Sequence, residues 1–130
     1  MELGLRLPQR LGVDLQHDLV EAARTAEAAG YASLWTYERL LFPVTPAEPY
    51  AGTNLPWPEH SRQAADPLAV LTAAAVATEK VRLGTSILVA ALHTPVQLAK
   101  EIATIDQISG GRMIAGIGTA VKAKRPDVRI

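Results

Sequence analysis

The chain has 130 residues, with 13 Lys and Arg balanced by 13 Asp and Glu, and 48% of its residues are hydrophobic. That is the composition of one globular domain and excludes two ordinary ones. The zero net charge removes the electrostatic case for nucleic acid or an anionic membrane as partner, and the only basic excess lies in residues 121–130, with four basic side chains against one acidic.

There is no cysteine, so neither disulfides nor thiolate chemistry enter, as is usual for a cytoplasmic protein. The N-terminus Met1-Glu2-Leu3-Gly4-Leu5-Arg6 lacks the pattern of a signal peptide, and no run of 18 apolar residues occurs. The expected location is the cytoplasm.

Leu3, Leu5 and Leu7 alternate with Gly4 and Arg6, the period of a strand closed by Pro8. From Asp14 to Ala29 the residues Leu15, Leu19, Val20, Ala23 and Ala26 recur at helical spacing. Asp14 is placed to cap this helix and Gly30 to end it. Residues 32–37, Ala-Ser-Leu-Trp-Thr-Tyr, predict a second buried strand. Residues 38–65 hold five of the nine prolines and no apolar period. So long a segment without elements is a lid or a surface insertion, and Phe42, Tyr50 and Trp57 favour a packed lid.

Asp66-Pro67 opens a second helix as cap and first-turn proline, with Leu68, Leu71, Ala74, Ala75 and Thr78 on its inner face and Lys80 near its end. Residues 81–89 predict the third strand. Thr94-Pro95-Val96-Gln97 reads as a capping box before a third helix with the stripe Leu98, Ile102, Ile105, stopped by Gly110-Gly111. Residues 112–118 predict the fourth strand, and the basic tail has no recognisable element. Alternating strands and helices mean βαβ units, hence the α/β class with parallel strands.

Four runs in one order resemble the luciferase-like monooxygenase superfamily: residues 27–35, Asp66-Pro67-Leu68, residues 81–85, and above all residues 98–112 ending Ser109-Gly110-Gly111-Arg112. Within it they are most similar to the deazaflavin (coenzyme F420)-dependent oxidoreductases. The resemblance covers residues 3 to about 119. It implies a partial TIM (β/α)8 barrel, the first four βα units over residues 1–120, since a whole barrel takes about 250 residues. Open strand edges then imply a homo-oligomer that covers them. The family's turn after the fourth strand is not matched, because Gly118-Thr119 runs into the basic tail, so a truncated reading frame and a short protein both stand as explanations.

The same resemblance implies hydride transfer between the ring of coenzyme F420, or alternatively FMN, and a small organic substrate. A chain this short, without the later loops that grip a cofactor phosphate, could also bind none and serve as a non-catalytic assembly or binding module. By position, Thr85, Ser86, Ile87 and Gly118 fall at the cofactor, with a non-prolyl cis peptide expected at Ser86-Ile87 and a plain trans strand end as the alternative. Glu38 and Arg39 fall where relatives place an acid followed by histidine. Arginine stays charged and does no acid–base work near neutral pH, so Glu38 is the candidate acid, or else a solvated carboxylate paired to Arg39, and Arg39 itself a contact for an anion. Gln9, Trp57 and His93 are candidate substrate contacts, His93 otherwise an ordinary loop histidine. His17 and His60 have no partners at metal-ligand spacing, so no metal is expected. Gly116-Ile117-Gly118 lacks the third glycine of a dinucleotide fingerprint, and no serine has nucleophile-elbow context.

Overall fold

The computed structural model describes residues 1–46, 49–50 and 53–119. The elements are β1 (Gly4–Arg6), α1 (Asp18–Ala28), β2 (Ser33–Thr36), α2 (Pro67–Ala77), β3 (Arg82–Thr85), β4 (Leu88–Val89), α3 (Pro95–Ser109), β5 (Met113–Ile114) and β6 (Ile117–Gly118). The first sheet has the order β1-β2-β3-β5, every pair parallel, and β4 pairs with β6, also parallel. Strand order equal to chain order is the arrangement of a barrel wall.

The register makes the two faces distinct. Leu5, Leu34 and Leu83 are cross-strand neighbours on the helix side, where Leu19, Ala23, Leu68, Leu71, Ala74, Leu98 and Ile105 complete the core. On the opposite, barrel-interior face Trp35 lies beside Gly84, and a β-carbon on Gly4 or Gly84 would enter its indole. Both glycines therefore leave room for this large ring.

Asp66 caps α2 as expected, accepting from the Leu68 and Ala69 amides at 3.0 and 2.8 Å. Gly30, Gly110 and Gly111 all have positive φ where the helices stop. Other expectations are corrected. Helix α1 starts at Asp18, because Asp14 instead holds the turn before it, accepting from the Gln16 and His17 amides, and Leu15 is exposed. Thr94 makes no side-chain cap, so the capping box does not form. Helix α2 ends at Ala77, before Lys80. The third strand is broken after Thr85 and the fourth after Ile114, each resuming two residues later as β4 and β6. The tail expected to be irregular, residues 121–130, lies outside the described residues.

Two side chains tie the bottom of the sheet to the helices. The Arg112 guanidinium donates to Ser109 O (2.6 Å), Thr78 Oγ1 (2.9 Å), Val81 O (3.0 Å), Ala75 O (2.9 Å) and Thr78 O (2.9 Å). It thus supplies partners to carbonyls at the C-terminal end of α2 that have none within the helix. The Glu27 carboxylate accepts from the amides of Glu79, Lys80 and Val81 at 2.6–3.1 Å. Burial alone raises its pKa, but those amides and the Arg112 charge outweigh this and hold it below the usual carboxylate value. No described helix is long and apolar enough to cross a membrane.

Candidate functional site

The C-terminal ends of β1, β2, β3 and β6 form one rim, and the described part of segment 38–65 lies against it. Gln9 fastens the segment to this rim. Its amide nitrogen donates to Tyr37 O (2.8 Å) and Ala65 O (3.0 Å), and its oxygen accepts from the Tyr37 amide (2.9 Å). The residue is 1% exposed, so its polar groups are engaged within the protein. The described residues of segment 38–65 include one short 3-10 turn, Glu59–Ser61, and an aromatic cluster. Trp57 meets Phe42 (5.7 Å) and Tyr50 (5.3 Å) edge to face, and the Arg39 guanidinium lies 5.1 Å from the Trp57 centroid and 5.4 Å from that of Tyr50. Packing in the described part of the segment gathers around Trp57, whereas Leu40, Leu41, Val44 and Leu55 are exposed.

The Ser86–Ile87 peptide is cis, at the break between β3 and β4. Both residues are exposed, Ile87 by 44%, and the Ile87 side chain occupies the space that a β-carbon on Gly118 would fill. Thr85 is buried. Its hydroxyl donates to Gly116 O and accepts from Gly116 N, each at 2.9 Å, and a β-carbon on Gly116 would overlap the Thr85 carbonyl oxygen. Gly116 is the close-approach glycine of the rim, and Thr85 joins the third strand to the fourth.

Glu38 is not paired with Arg39. It is hydrogen-bonded to His93 Nε2 at 2.7 Å and accepts from the Val89 amide at 2.5 Å, with the side chains of Glu38 and His93 only 6% and 19% exposed. The expectation of a solvated, arginine-paired carboxylate is therefore corrected. Arg39 lies against aromatic faces instead, while β4 and the 3-10 turn Ala90–Leu92 that follows it bring the Val89 amide and His93 to Glu38. With Glu38 ionised, Nε2 carries the proton and Nδ1 is the basic nitrogen of the pair. Sequence reasoning named both residues without joining them, because 55 positions separate them.

A second group missed by sequence lies beside Ser86. Arg6, Arg10, Arg39 and His60 line a partly open cavity of about 350 Å³ together with Tyr37. No group of three or more His, Asp or Glu side chains among the described residues is placed to hold a metal.

The family model that describes luciferase-like monooxygenases matches residues 1–127. The chain belongs to that family. An uncharacterized protein of Mycobacterium tuberculosis is 38% identical over 100 residues, covering 75% of this chain and 35% of its own length. The F420-dependent glucose-6-phosphate dehydrogenase of Amycolatopsis mediterranei is 33% identical over 103 residues, covering 78% of this chain and 27% of the relative. Among solved structures, the coenzyme F420-dependent tetrahydromethanopterin reductase of Methanopyrus kandleri superposes with a TM-score of 0.64 at 27% identity, over 89% of this chain and 26% of that one. The FMN-bound oxygenating constituent of 3,6-diketocamphane monooxygenase of Pseudomonas putida gives a TM-score of 0.66 at 22% identity, a likeness of fold, over 92% and 30%. The chain spans about a third of the length of the curated relatives it matches. In the frame of those barrels, the described residues are the first four strands and the three helices between them.

Proposed function

We propose that the chain is the ring-backing portion of a deazaflavin (F420)- or FMN-dependent oxidoreductase acting on a small organic substrate. The observation that carries this reading is the exposed Ser86–Ile87 ledge at the C-terminal strand ends, with the Glu38–His93 pair formed by residues that follow β2 and β4. The ledge is apolar at Ile87 and flanked by Gly118, a shape that accepts a flat ring. When bound, the cofactor supplies the hydride acceptor or donor. Ile87 and Ser86 would orient the ring, Gly118 leaves room for the Ile87 side chain, and Thr85 holds the strand ends in place without touching the ring. Glu38 fixes the His93 tautomer, and His93 Nδ1 takes or returns the substrate proton that accompanies hydride transfer. Trp57 and the aromatic cluster keep water from the rim.

The parallel sheet is unpaired at β1 and at β5 among the described residues, and an apolar groove bordered by Leu98, Ile102, Met113 and Ile117 runs beside α3. We assign the covering of these edges to a second copy of the chain, a dimer in light scattering; a folded monomer would refute it.

One observation favours a non-catalytic module instead: Thr85 and Gln9, both expected at ligands, have their hydrogen bonds satisfied internally. Titration of the protein with F420 and with FMN, followed by cofactor absorbance and fluorescence, decides between the two. Saturable binding with a changed spectrum, lost in Ile87→Asp, supports the oxidoreductase. An unchanged spectrum at high micromolar cofactor refutes it and leaves the module.

A further inference from the structure

The cavity beside Ser86 is cationic in a chain with no net charge. Arg6, Arg10, Arg39 and His60 line it, and none of its lining residues is Asp or Glu. Among the described residues the acids nearest in sequence are engaged elsewhere, Glu38 with His93 and Glu59 with Arg62 at 3.2 Å. Three guanidiniums that no described carboxylate faces repel one another, and such a cluster is tolerated where an anion completes it.

The hydrogen-bond inventory points the same way. Arg39 donates one bond, from Nη2 to the Tyr50 hydroxyl at 3.1 Å, and is otherwise held by ring faces, not by a carboxylate. Its Nε is buried without a partner, and so is the Tyr37 hydroxyl on the same cavity wall, under the Arg6 guanidinium 5.4 Å from the Tyr37 ring. Buried polar groups are ordinarily hydrogen-bonded. What this wall lacks is acceptors, and a carboxylate or phosphate brings acceptors and negative charge together. Arg6, Tyr37 and Ser86 share one parity on neighbouring strands, so they project from the barrel-interior face beside the ledge.

We propose that this cavity binds an oxyanion group, a carboxylate or phosphate, in the fork of Arg39 with Arg6, Arg10 and the Tyr37 hydroxyl, and so selects an acidic ligand for the Ser86–Ile87 ledge. A volume of about 350 Å³ holds a small organic acid and not the anion alone. The binding stands on these residues; that the anion belongs to a substrate rests on the oxidoreductase reading.

The test is calorimetric titration of the full chain with inorganic phosphate and with succinate at low salt and without cofactor. Wild type is compared with Arg39→Gln, Arg39→Lys, Arg10→Gln and Arg24→Gln, all checked for native circular dichroism. The expected result is saturable binding, weakened about tenfold, or ~1.4 kcal/mol, by Arg39→Gln and by Arg10→Gln. Arg39→Lys keeps the charge without the fork and falls between, and Arg24→Gln, exposed on α1 and outside the cavity, leaves binding unchanged. No saturable binding to wild type, or equal weakening by Arg24→Gln, overturns the proposal. Should Arg39→Gln not fold, Arg39→Lys and Arg10→Gln carry the test.

Repeating the titration with FMN and with riboflavin identifies the source of the anion. Phosphate that displaces FMN but not riboflavin assigns the cavity to the cofactor's own phosphate, and phosphate that binds alongside both assigns it to a substrate. A protein that binds phosphate but no cofactor ring refutes the oxidoreductase reading and keeps the anion site, whereas one that binds the ring but no anion does the reverse.

Discussion

Replacing Arg112 by methionine removes five hydrogen bonds at once while keeping most of the apolar stem. A hydrogen bond involving a charged group contributes about 1.5–3 kcal/mol, but bonds from a single guanidinium are not additive, and water can reach part of this half-buried side chain. The decisive loss is at the C-terminal end of α2, where Ala75 O and Thr78 O would be left without their Arg112 donors, while the buried Thr78 hydroxyl keeps only its bond to Ala74 O. At about 1–3 kcal/mol for each buried group left unsatisfied, the expected destabilisation is about 3–5 kcal/mol. That is a fifth or more of the about 5–15 kcal/mol that stabilises an ordinary domain. Arg112→Lys keeps the charge but cannot span Ser109, Thr78 and Val81 together, and should lose about 1–2 kcal/mol. Urea unfolding followed by far-UV circular dichroism measures both, with exposed Arg24→Met as a control within about 0.5 kcal/mol of wild type. A loss below about 1 kcal/mol for Arg112→Met would refute the argument that this side chain joins the two helix ends to the third strand.

The remaining predictions concern the Glu27 clasp, the rim and the acid–histidine pair. Because the Glu27 pKa is lowered in the folded state, its contribution is fully present above the unfolded-state pKa and disappears as pH falls through the folded value. Glu27→Gln should therefore be less stable than wild type by about 1 kcal/mol at neutral pH, the gap closing in acid, as urea midpoints across a pH series will record. Gly116→Ala should cost at least about 2 kcal/mol, since the new methyl meets the Thr85 carbonyl; a thermal midpoint equal to wild type would contradict the close approach. In Glu38→Ala the Val89 amide and His93 Nε2 lose their common acceptor, so the variant should be less stable than wild type by about 1–3 kcal/mol in urea unfolding, and an unchanged midpoint would deny the pair.

The fold was legible because its signals are local: the Asp66-Pro67 cap, the stripe of Leu68, Leu71, Ala74 and Ala75, and the glycines at 30, 110 and 111 each carry their own physics. The α1 start was misplaced because Asp14 is an equally good cap for a turn, and a propensity does not say which amides it will meet. The breaks in the third and fourth strands are tertiary. They arise where Thr85 meets Gly116, 31 positions away, and β-propensity runs unbroken through both. The site was legible as a set of residues and not as a set of contacts. Glu38 and His93 were both named, yet their pairing depends on how the chain turns after Ile87, and the Arg6–Arg10–Arg39 cavity joins two strand ends and a loop that no spacing rule connects.

The claim on which the functional account turns is that a flat cofactor ring rests against Ile87. Methyl NMR of isoleucine-labelled protein during titration with F420 or FMN tests it most directly, because an aromatic ring shifts the methyl resonances it covers. The account predicts a large ring-current shift of the Ile87 methyl and none at Ile105, which is buried on the helix side, or at Ile117, which borders the groove beside α3. Unmoved Ile87 at saturating cofactor, or a shift confined to the α3 side, would contradict it.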